Sequence, residues 1–380
     1  MKRILIIAGE ASSDMHAANL IKDIKSLDKD VDFFGLGGNN MKGAGASILH
    51  NIVHLAFIGP GGLFKHYVTL KKIYRSLCKQ IDANPPDCAI LIDYAEFNLR
   101  VARHLKSLDV PIIYYISPQV WAWGLWRIKT IRQLIDKMLV FFRFEEKLYK
   151  EHNVDAVFIG HPLLSIVKVT STKEQIKKEL GLYNSNKLIG VVPGSRESEI
   201  KNILPIMLKA CEIIRSGMGS EKTSFVLPLA STISESCIRE ISDKTSVNIK
   251  IVKGNTYNAL SACDCAMVTS GTATLEAALL GIPMTIIYKA NFLTYILTKS
   301  VIRLPFIGLA NIVAGKNIVP EFLQYKAKPE KIAAYMMRLL SEPDLSDSIK
   351  KEFSIIKSTL GKPGASIRAA EEVVEFLNQK

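Results

Sequence analysis

This 380-residue sequence lacks the short patterns that identify several common classes of protein. Its six cysteines include no Cys-x-x-Cys pair, which excludes a zinc knuckle and a dithiol redox centre. No apolar run reaches the roughly 18 residues that a membrane-spanning helix needs, because the longest, at 292–307, is interrupted by Lys299, Arg303 and Pro305. No Gly-Lys-Ser/Thr stands at the spacing of a Walker phosphate loop, which disfavours ATP hydrolysis. What remains has globular composition and no low-complexity tract.

A metal site with recognisable spacing is also missing. The aspartates at 28, 30 and 32 lie where a helix is expected to turn into a strand, which indicates a solvated connection. His50 and His54 stand four residues apart, but the β-branched residues and the missing Glu between them do not fit a metalloprotease helix. We therefore expect no metal and no other cofactor.

The formal net charge of +13 predicts an anionic partner, which can be nucleic acid, a phospholipid surface or a phosphorylated substrate. The aromatic residues form no RNA-binding signature, so we expect no nucleic acid. Segment 63–79 has apolar residues at helical spacing with basic residues between them, and the three tryptophans lie close together near residue 123. Both features favour a membrane surface, although a core helix with a solvated basic face is the alternative for 63–79. The candidate membrane contacts are Phe64, Tyr67, Lys71, Lys72, Arg75, Trp121, Trp123 and Trp126.

Apolar strands alternate with helical patterns through both halves of the chain, which is typical of doubly wound parallel sheets. We therefore predict an α/β protein of two facing Rossmann-like domains, 1–164 and 165–344, with a ligand cleft between them. The C-terminal helix, at about 345–380, is expected to pack on the first domain. The predicted strands are 3–8, 32–36, 88–93, 111–116, 138–142, 156–159, 188–193, 224–229, 249–252, 265–269 and 284–288.

In the first half, polar residues follow two predicted strands at their carboxyl ends, where open α/β sheets bind ligands. A partly desolvated Asp93 can take a proton from an attacking hydroxyl, although an Asp at a strand end also commonly caps the next helix. Glu10 and Asp14 follow the first strand and can accept hydrogen bonds from sugar hydroxyls. Ser12 or Asp14 can equally cap the first helix, and the two roles are compatible.

Two turns in the second half can offer backbone N–H groups to an anion. After the strand at 188–193, Gly194 and Ser195 can donate, and Arg196 can fork onto a diphosphate. Segment 270–276 predicts a strand, a small-residue turn and a helix. Taken alone, this pattern fits an ordinary β-turn-α connection as well as a nucleotide-sugar site, and only other features favour the second. Its candidate contacts are Ser270, Gly271, Thr272 and Glu276.

Six motifs in one order give the chain a close resemblance to the lipid-A-disaccharide synthases, and they span nearly its whole length. They lie at 9–14, 117–123, 158–162, 193–196, 270–276 and 309–315, and the Trp-Ala-Trp segment is especially distinctive. The resemblance implies a GT-B glycosyltransferase that joins UDP-2,3-diacylglucosamine to 2,3-diacylglucosamine 1-phosphate, giving the β-1,6 disaccharide 1-phosphate and UDP. It also implies a peripheral enzyme on the cytoplasmic face of the inner membrane of a Gram-negative bacterium. A homodimer with exchanged C-terminal segments is implied as well.

The motif positions also imply residue roles. Asp93 matches the family's essential strand-end aspartate, Arg196 its UDP-phosphate arginine, and Glu276 and Asn311 its nucleotide-side residues. The acceptor side would comprise Glu10, Ser12, Asp14 and Asn98. We therefore predict an inverting displacement, in which Asp93 deprotonates the acceptor 6-hydroxyl while Arg196 and the turn N–H groups at 194–195 and 270–272 stabilise departing UDP.

Three positions depart from the family pattern. Ser13 replaces a usual Gly, Gly62 stands where a Glu is expected, and Glu96 replaces an Asp. Two other functions stay open from the sequence: a GT-B enzyme using UDP-sugars with a non-lipid acceptor, such as an epimerase, and a non-catalytic basic membrane-binding protein.

Overall fold

The computed structural model describes residues 1–53, 63–182, 187–219, 223–290 and 304–379, and the chain divides into two compact units. The first comprises Met1–Pro162 and Leu360–Lys380, and the second Leu163–Thr359. All six cysteines are free. No helix within the described ranges combines the length and the apolar character needed to cross a bilayer.

The first unit is built on a parallel sheet whose strand order is β3-β2-β1-β4-β5-β6-β7. The order reverses between β1 and β4, where Ala8 pairs with Ile92, so the residues that follow these two strands share one crevice. The described strands are β1 (Lys2–Ala8), β2 (Val31–Gly37), β3 (Ser47–Asn51), β4 (Cys88–Ile92), β5 (Ile112–Tyr115), β6 (Lys137–Val140) and β7 (Ala156–Phe158).

Helices pack against this sheet, and the longer ones carry an apolar stripe at helical spacing. They are α1 (Ala11–Leu27), α2 (Asn39–Gly43), α3 (Leu63–Ala83), α4 (Ala95–Lys106), α5 (Val120–Trp123), α6 (Arg127–Leu134) and α7 (Arg143–Glu151).

The second unit repeats the plan with a parallel sheet of order β10-β9-β8-β11-β12-β13. Its reversal lies between β8 and β11, where Val192 pairs with Val268. The strands are β8 (Lys187–Val192), β9 (Thr223–Leu229), β10 (Ile249–Lys253), β11 (Cys265–Thr269), β12 (Met284–Tyr288) and β13 (Glu321–Leu323). The helices are α8 (Leu163–Ile166), α9 (Lys173–Glu179), α10 (Glu197–Met218), α11 (Glu235–Ser242), α12 (Thr256–Ser261), α13 (Thr272–Leu279), α14 (Leu309–Ala314), α15 (Pro329–Ser341) and α16 (Pro343–Thr359).

The C-terminal region returns to the first unit later than predicted. The expectation that the whole of 345–380 packs there is wrong, because α16 belongs to the second unit and buries Ile349, Phe353 and Ile356. Only α17 (Ala365–Gln379) lies in the first unit, where it packs against α1.

Candidate active site

Asp93 directly follows β4, and Glu10 stands two residues after the adjacent strand β1. Burial, and second the negative charge of Glu10, raise the pKa of Asp93 to about 6, against the opposing hydrogen bond from the backbone N–H of Tyr94. A carboxylate with this proton affinity is ionised at neutral pH and still basic enough to accept a proton from a hydroxyl in a transition state. The two sequence-predicted carboxylates are therefore brought together at the reversal point of the first sheet.

The backbone carrying Asp93 is left-handed over two residues, with φ of 48° at Asp93 and 43° at Tyr94. The carbonyl oxygen of Asp93 accepts hydrogen bonds from Asn98 Nδ2 at 2.8 Å and from the hydroxyl of Tyr114. Asn98 Nδ2 also donates to the carbonyl of Ile92 at 3.1 Å. The acceptor contact of Asn98 stays a prediction, because here the side chain is fully buried and its amide is bonded to the turn itself.

Asp14 likewise has a role inside the protein. It is 2% exposed, and its carboxylate oxygens accept the backbone N–H groups of Gly38 at 2.7 Å, Asn40 at 3.0 Å and Met41 at 3.2 Å. The side chain therefore satisfies the N-terminus of α2, a different helix from its own, and its acceptor contact stays a prediction. Ser12 is exposed in the first turn of α1, where it stays a candidate contact.

The departures at Ser13 and Glu96 fit the fold. Ser13 lies in the first turn of α1, whose right-handed backbone does not need glycine. Glu96 forms an ion pair with Arg127 at the start of α6. Gly62 and His54 lie outside the described residues.

The basic helix α3 is mainly a core helix, as the alternative interpretation of its pattern held. Ile73, Leu77 and Ile81 are buried in the core of the first unit, so most of the apolar face is not available to lipid. Tyr67 at the start of the helix is 53% exposed. Lys71, Lys72 and Arg75 are exposed.

The tryptophans differ in their surroundings. Trp121 is half-buried, and its indole N–H donates to Glu145 at 3.0 Å, so its membrane contact stays a prediction for the rest of the ring. Trp126 is 71% exposed beside Leu125, which is 57% exposed. The side chains of Phe64 and Trp123 lie outside what the structure describes.

In the second unit, the turn after β8 is occupied by a carboxylate of its own helix. Glu199 Oε2 accepts the N–H groups of Ser195 at 3.1 Å and Arg196 at 3.3 Å, and Oε1 contacts Arg196 Nη1 at 3.1 Å. Gly194 has φ of 124°, and a Cβ there would lie 2.3 Å from Glu199 Oε2. The N–H of Ser195 is therefore bonded to Glu199, and its contact with a UDP-sugar stays a prediction. The spacing Arg-x-x-Glu at the start of a helix is the signal that could have revealed it, because Glu at the third helical position closes a capping box.

The turn after β11 lies beside that turn, because β8 and β11 are neighbours. Gly271, with φ of 140°, precedes α13, and Thr272 is exposed at its first residue. Ser270 Oγ donates to the carbonyl of Ile307 at 2.8 Å, so its hydroxyl proton is engaged. The N–H groups of Thr272 and Ala273 point towards the N-terminal end of α13, whereas that of Thr274 donates to the carbonyl of Gly271 at 3.1 Å.

Glu276 lies one turn into α13 and is half-buried. It accepts a hydrogen bond from the hydroxyl of Tyr257 at 3.2 Å, and burial raises its pKa. Sequence reasoning missed Tyr257, because nothing in the pattern near 257 marks the chemistry of a site.

Asn311 was predicted on the nucleotide side, and the structure shows a different role. The side chain is fully buried, and its amide donates to the carbonyl of Val319 and to Glu321, both at 2.9 Å. Its Oδ1 accepts the N–H groups of Ile318 at 3.0 Å and Val319 at 3.2 Å. These bonds engage both ends of the amide, so Asn311 holds the approach to β13 here, and its contact with the nucleotide stays a prediction.

Within the described residues, no group of three His, Cys, Asp or Glu side chains is placed to hold a metal ion. The sites that the structure does assemble are the Glu10 and Asp93 pair in the first unit and the two adjacent turns in the second.

Comparison with known proteins gives this geometry a context. The solved structure of UDP-GlcNAc 2-epimerase from Neisseria meningitidis matches with a TM-score of 0.61 at 14% identity, covering 100% of both chains. The glycosyltransferase of kitacinnamycin matches with a TM-score of 0.63 at 14% identity, covering 99% of this chain and 98% of its own. These likenesses establish the fold alone, and they confirm the predicted GT-B class.

Sequence comparison is more specific. The family described as lipid-A-disaccharide synthetase matches residues 4–373. The lipid-A-disaccharide synthase of Syntrophus aciditrophicus is 40% identical over 370 residues, covering 97% of this chain and 96% of its own. That of Geobacter metallireducens is 38% identical over 379 residues, covering 100% and 98%. A match of this extent means that the chain belongs to the lipid-A-disaccharide synthase family and is a glycosyltransferase of lipid A biosynthesis.

Proposed function

We propose that the enzyme transfers the sugar of UDP-2,3-diacylglucosamine to the 6-hydroxyl of 2,3-diacylglucosamine 1-phosphate. The products are the β-1,6-linked disaccharide 1-phosphate and UDP. Family membership across residues 4–373 supports the substrates. The observation that carries the mechanism is Asp93, a carboxylate at the reversal point of the first sheet with a pKa of about 6.

In the proposed reaction, Asp93 takes the proton of the acceptor 6-hydroxyl as its oxygen bonds to the anomeric carbon of the donor. The bond from that carbon to UDP breaks on the opposite face, so the configuration inverts and UDP leaves with the electron pair. Ser12 and Glu10, at the start of α1, would contact the acceptor, because their oxygen atoms are suited to sugar hydroxyls.

On the donor side, Arg196 would stabilise the negative charge of departing UDP. Its side chain is 69% exposed, so it can reach a ligand once it exchanges Glu199 for a diphosphate. The first-turn N–H groups of α13, from Thr272 onwards, would add partial positive charge, and Glu276 would contact the nucleotide. With these groups, we propose a reaction that needs no metal ion.

The test is an assay of purified protein with both acylated substrates, with and without EDTA, scoring UDP release and disaccharide mass. We expect product that EDTA does not reduce, and a loss of about 100-fold or more in turnover for Asp93→Asn. Asp82→Asn, at an exposed aspartate of α3, is the matched control. More than about a tenth of the activity left in Asp93→Asn would remove it as the base. Turnover of unacylated substrates alone would instead favour a non-lipid acceptor.

We also propose that the enzyme is peripheral on the cytoplasmic face of the inner membrane of a Gram-negative bacterium. The exposed cations of α3, Lys71, Lys72 and Arg75, and exposed Trp126 support an anionic lipid surface. Acidic vesicles at low salt should sediment the wild type but not the triple Glu variant of those cations. The same change at Lys350 and Lys351 of α16, also on the surface, should leave binding intact. Equal binding of both variants would contradict the proposal.

The proposed assembly is a homodimer, supported by the family resemblance. Sedimentation equilibrium at micromolar concentration should give twice the mass of the chain, and a monomer there would contradict it.

A further inference from the structure

We propose that Asn98 and Tyr114 are positioning residues that aim the carboxylate of Asp93 by clamping the backbone of the turn at 92–95, here called the Asp93 turn. This inference rests on the proposed function, in which Asp93 is the base. Neither residue reaches a substrate in the proposed reaction, so each would act through the main chain of Asp93.

The Asp93 turn has a conformation that it does not adopt by preference. Asp93 and Tyr94 are both left-handed, with φ of 48° and 43°. Residues with a Cβ seldom occupy this region, and two in succession persist only where surrounding contacts over-determine them. The direction in which the Asp93 side chain leaves the backbone therefore depends on those contacts.

The contacts converge on one peptide group. Tyr114, from the neighbouring strand β5, donates its hydroxyl to the carbonyl oxygen of Asp93. Asn98, from the first turns of α4, donates to the same oxygen at 2.8 Å and to the carbonyl of Ile92 at 3.1 Å. Two donors from different elements fix the plane of the peptide that joins Asp93 to Tyr94, and with it the Cα of Asp93.

Asn98 is not explained by packing alone. It lies in the core between Phe97 and Leu99 and is fully buried, yet its Oδ1 is buried without a hydrogen-bond partner among the described residues. An unpaired buried oxygen costs stability, so the side chain is retained for its two N–H bonds to the Asp93 turn.

The same turn is tied to the strand that leads to Glu10. A Cβ on Gly9 would lie 2.5 Å from Cδ1 of Tyr94, so the Tyr94 ring needs glycine there to cross the end of β1. Tyr94 also stacks on Phe97 with ring centroids 5.8 Å apart. With this left-handed backbone, the Tyr94 ring locks the turn and the Asp93 carboxylate faces Glu10.

The test compares Tyr114→Phe with Tyr149→Phe. Both tyrosines are fully buried in the first unit, and Tyr149 bonds Ser117 at 2.7 Å rather than the Asp93 turn. Each variant loses one buried hydroxyl bond, so both should lose similar thermal stability. Asn98→Leu, nearly the same shape without the donor, is the second variant.

We expect Tyr114→Phe and Asn98→Leu to lose about 10- to 100-fold in kcat, with the KM of either substrate unchanged within about twofold, because a small misplacement of the base slows only the chemical step. Tyr149→Phe should keep the wild-type kcat. Equal kcat for Tyr114→Phe and Tyr149→Phe would overturn the proposal, whatever their stability.

A readout that does not need turnover separates this inference from the proposed function. The carboxyl carbon of Asp93, labelled with ¹³C and assigned with Asp93→Asn, should titrate in Tyr114→Phe at lower pH than in the wild type, as the freed carboxylate gains water. An unchanged titration in Tyr114→Phe and Asn98→Leu overturns the inference. A shifted titration in a protein inactive on the acylated substrates supports the clamp and removes only the proposed reaction.

Discussion

Asp93 is a carboxylate whose surroundings raise its proton affinity. Burial is the first cause of the raised pKa of Asp93, and the negative charge of Glu10 is the second. A base must be deprotonated to act, so kcat should fall as the pH falls through about 6. The arrangement keeps Asp93 basic while leaving it ionised at neutral pH.

Glu10→Gln removes one of these causes. We predict that the acid limb of kcat moves to lower pH, because loss of the neighbouring negative charge lowers the pKa of Asp93. The rate on the alkaline plateau should fall a few-fold, since a weaker base accepts the proton less readily. The measurement is kcat against pH from 4.5 to 8.5, and an acid limb that stays in place or rises would refute the electrostatic link.

Glu145 is a second perturbed carboxyl, but its role is in stability. It is 4% exposed, and burial raises its pKa to about 7, against hydrogen bonds from the Trp121 indole and from backbone N–H groups. Between about pH 4.5 and 7 the folded chain holds a proton here that the unfolded chain has released, so the folded state loses stability as pH rises through this window.

Glu145→Gln abolishes that titration. The lost hydrogen bonds shift the free energy of unfolding of the variant by a constant amount. Apart from that shift, we predict that the variant gains stability relative to the wild type as pH rises from about 4.5 to 7 and gains no more above pH 7. Urea unfolding at several pH values measures the difference. Glu146→Gln, on the same helix and partly exposed, is the control. A flat difference for Glu145→Gln would show that Glu145 is ionised throughout.

At this scale the sequence predicted which residues stand at strand ends but not which way they bond. Asp93 and Glu10 could be found because each follows an apolar strand. Asp14 and Asn311 also lie in motifs, yet Asp14 accepts backbone N–H groups 24 to 27 residues away and Asn311 those of Ile318 and Val319. Whether a polar side chain faces a ligand or a distant main-chain N–H depends on tertiary packing, which spacing does not contain.

In the turn after β8, a carboxylate of the following helix occupies the predicted anion-binding groups. Glu199 is bonded to the N–H groups of Ser195 and Arg196 and to the Arg196 side chain, and it is 14% exposed. Any diphosphate that reaches Arg196 must compete with this carboxylate.

Glu199→Gln should therefore change donor binding in a definite direction. We predict that UDP binds about three- to tenfold more tightly, because the amide keeps acceptor capacity for the turn but no longer pairs with Arg196 or repels phosphate. Isothermal titration calorimetry with UDP gives the comparison. Glu197→Gln is the control, because Glu197 is an exposed residue at the start of the same helix and pairs with Lys201. This variant should bind UDP like the wild type. Weaker UDP binding by Glu199→Gln would mean that the carboxylate organises the site.

Strand prediction succeeded where strands are buried on both faces. The runs at 88–93 and 265–269 became β4 and β11, whose residues are all buried. The strands β3 and β13 were missed because they lie at sheet edges, where half-exposed residues leave no continuous apolar run. Short helices such as α2 and α5 were missed because five or four residues are too few to show a helical period.

At the scale of the molecule, each unit places its candidate residues where its own strand order reverses. The alternation of strands and helices was sufficient to predict two such sheets. It did not predict that the chain leaves the second unit only at Thr359, since α16 and α17 have similar amphipathic patterns and differ only in what they pack against.

Arg368 anchors the returning segment to the first unit. Its guanidinium donates to the carbonyls of Ile159 at 2.8 Å, Lys362 at 2.6 Å and Pro363 at 2.8 Å. We predict that Arg368→Ala lowers the free energy of unfolding by about 1 to 3 kcal/mol, because three carbonyls lose a charged donor. For a unit of this size that is several degrees in Tm, measured by calorimetry.

The control is Arg338→Ala, which breaks an exposed ion pair with Glu342 and should leave Tm almost unchanged. Equal effects of the two substitutions would mean that Arg368 does not anchor the segment.

The division of the first unit between the two ends of the chain has a consequence for synthesis on the ribosome. The second unit is continuous from Leu163 to Thr359 and can close as soon as that stretch has emerged. The first unit is translated earlier but waits for α17, which covers α1 and supplies the carbonyl of Leu377 to Lys2. The part of the protein that is made first is therefore the part that finishes folding last, and until then a nascent chain presents the apolar side of α1 to the cytosol or to a chaperone.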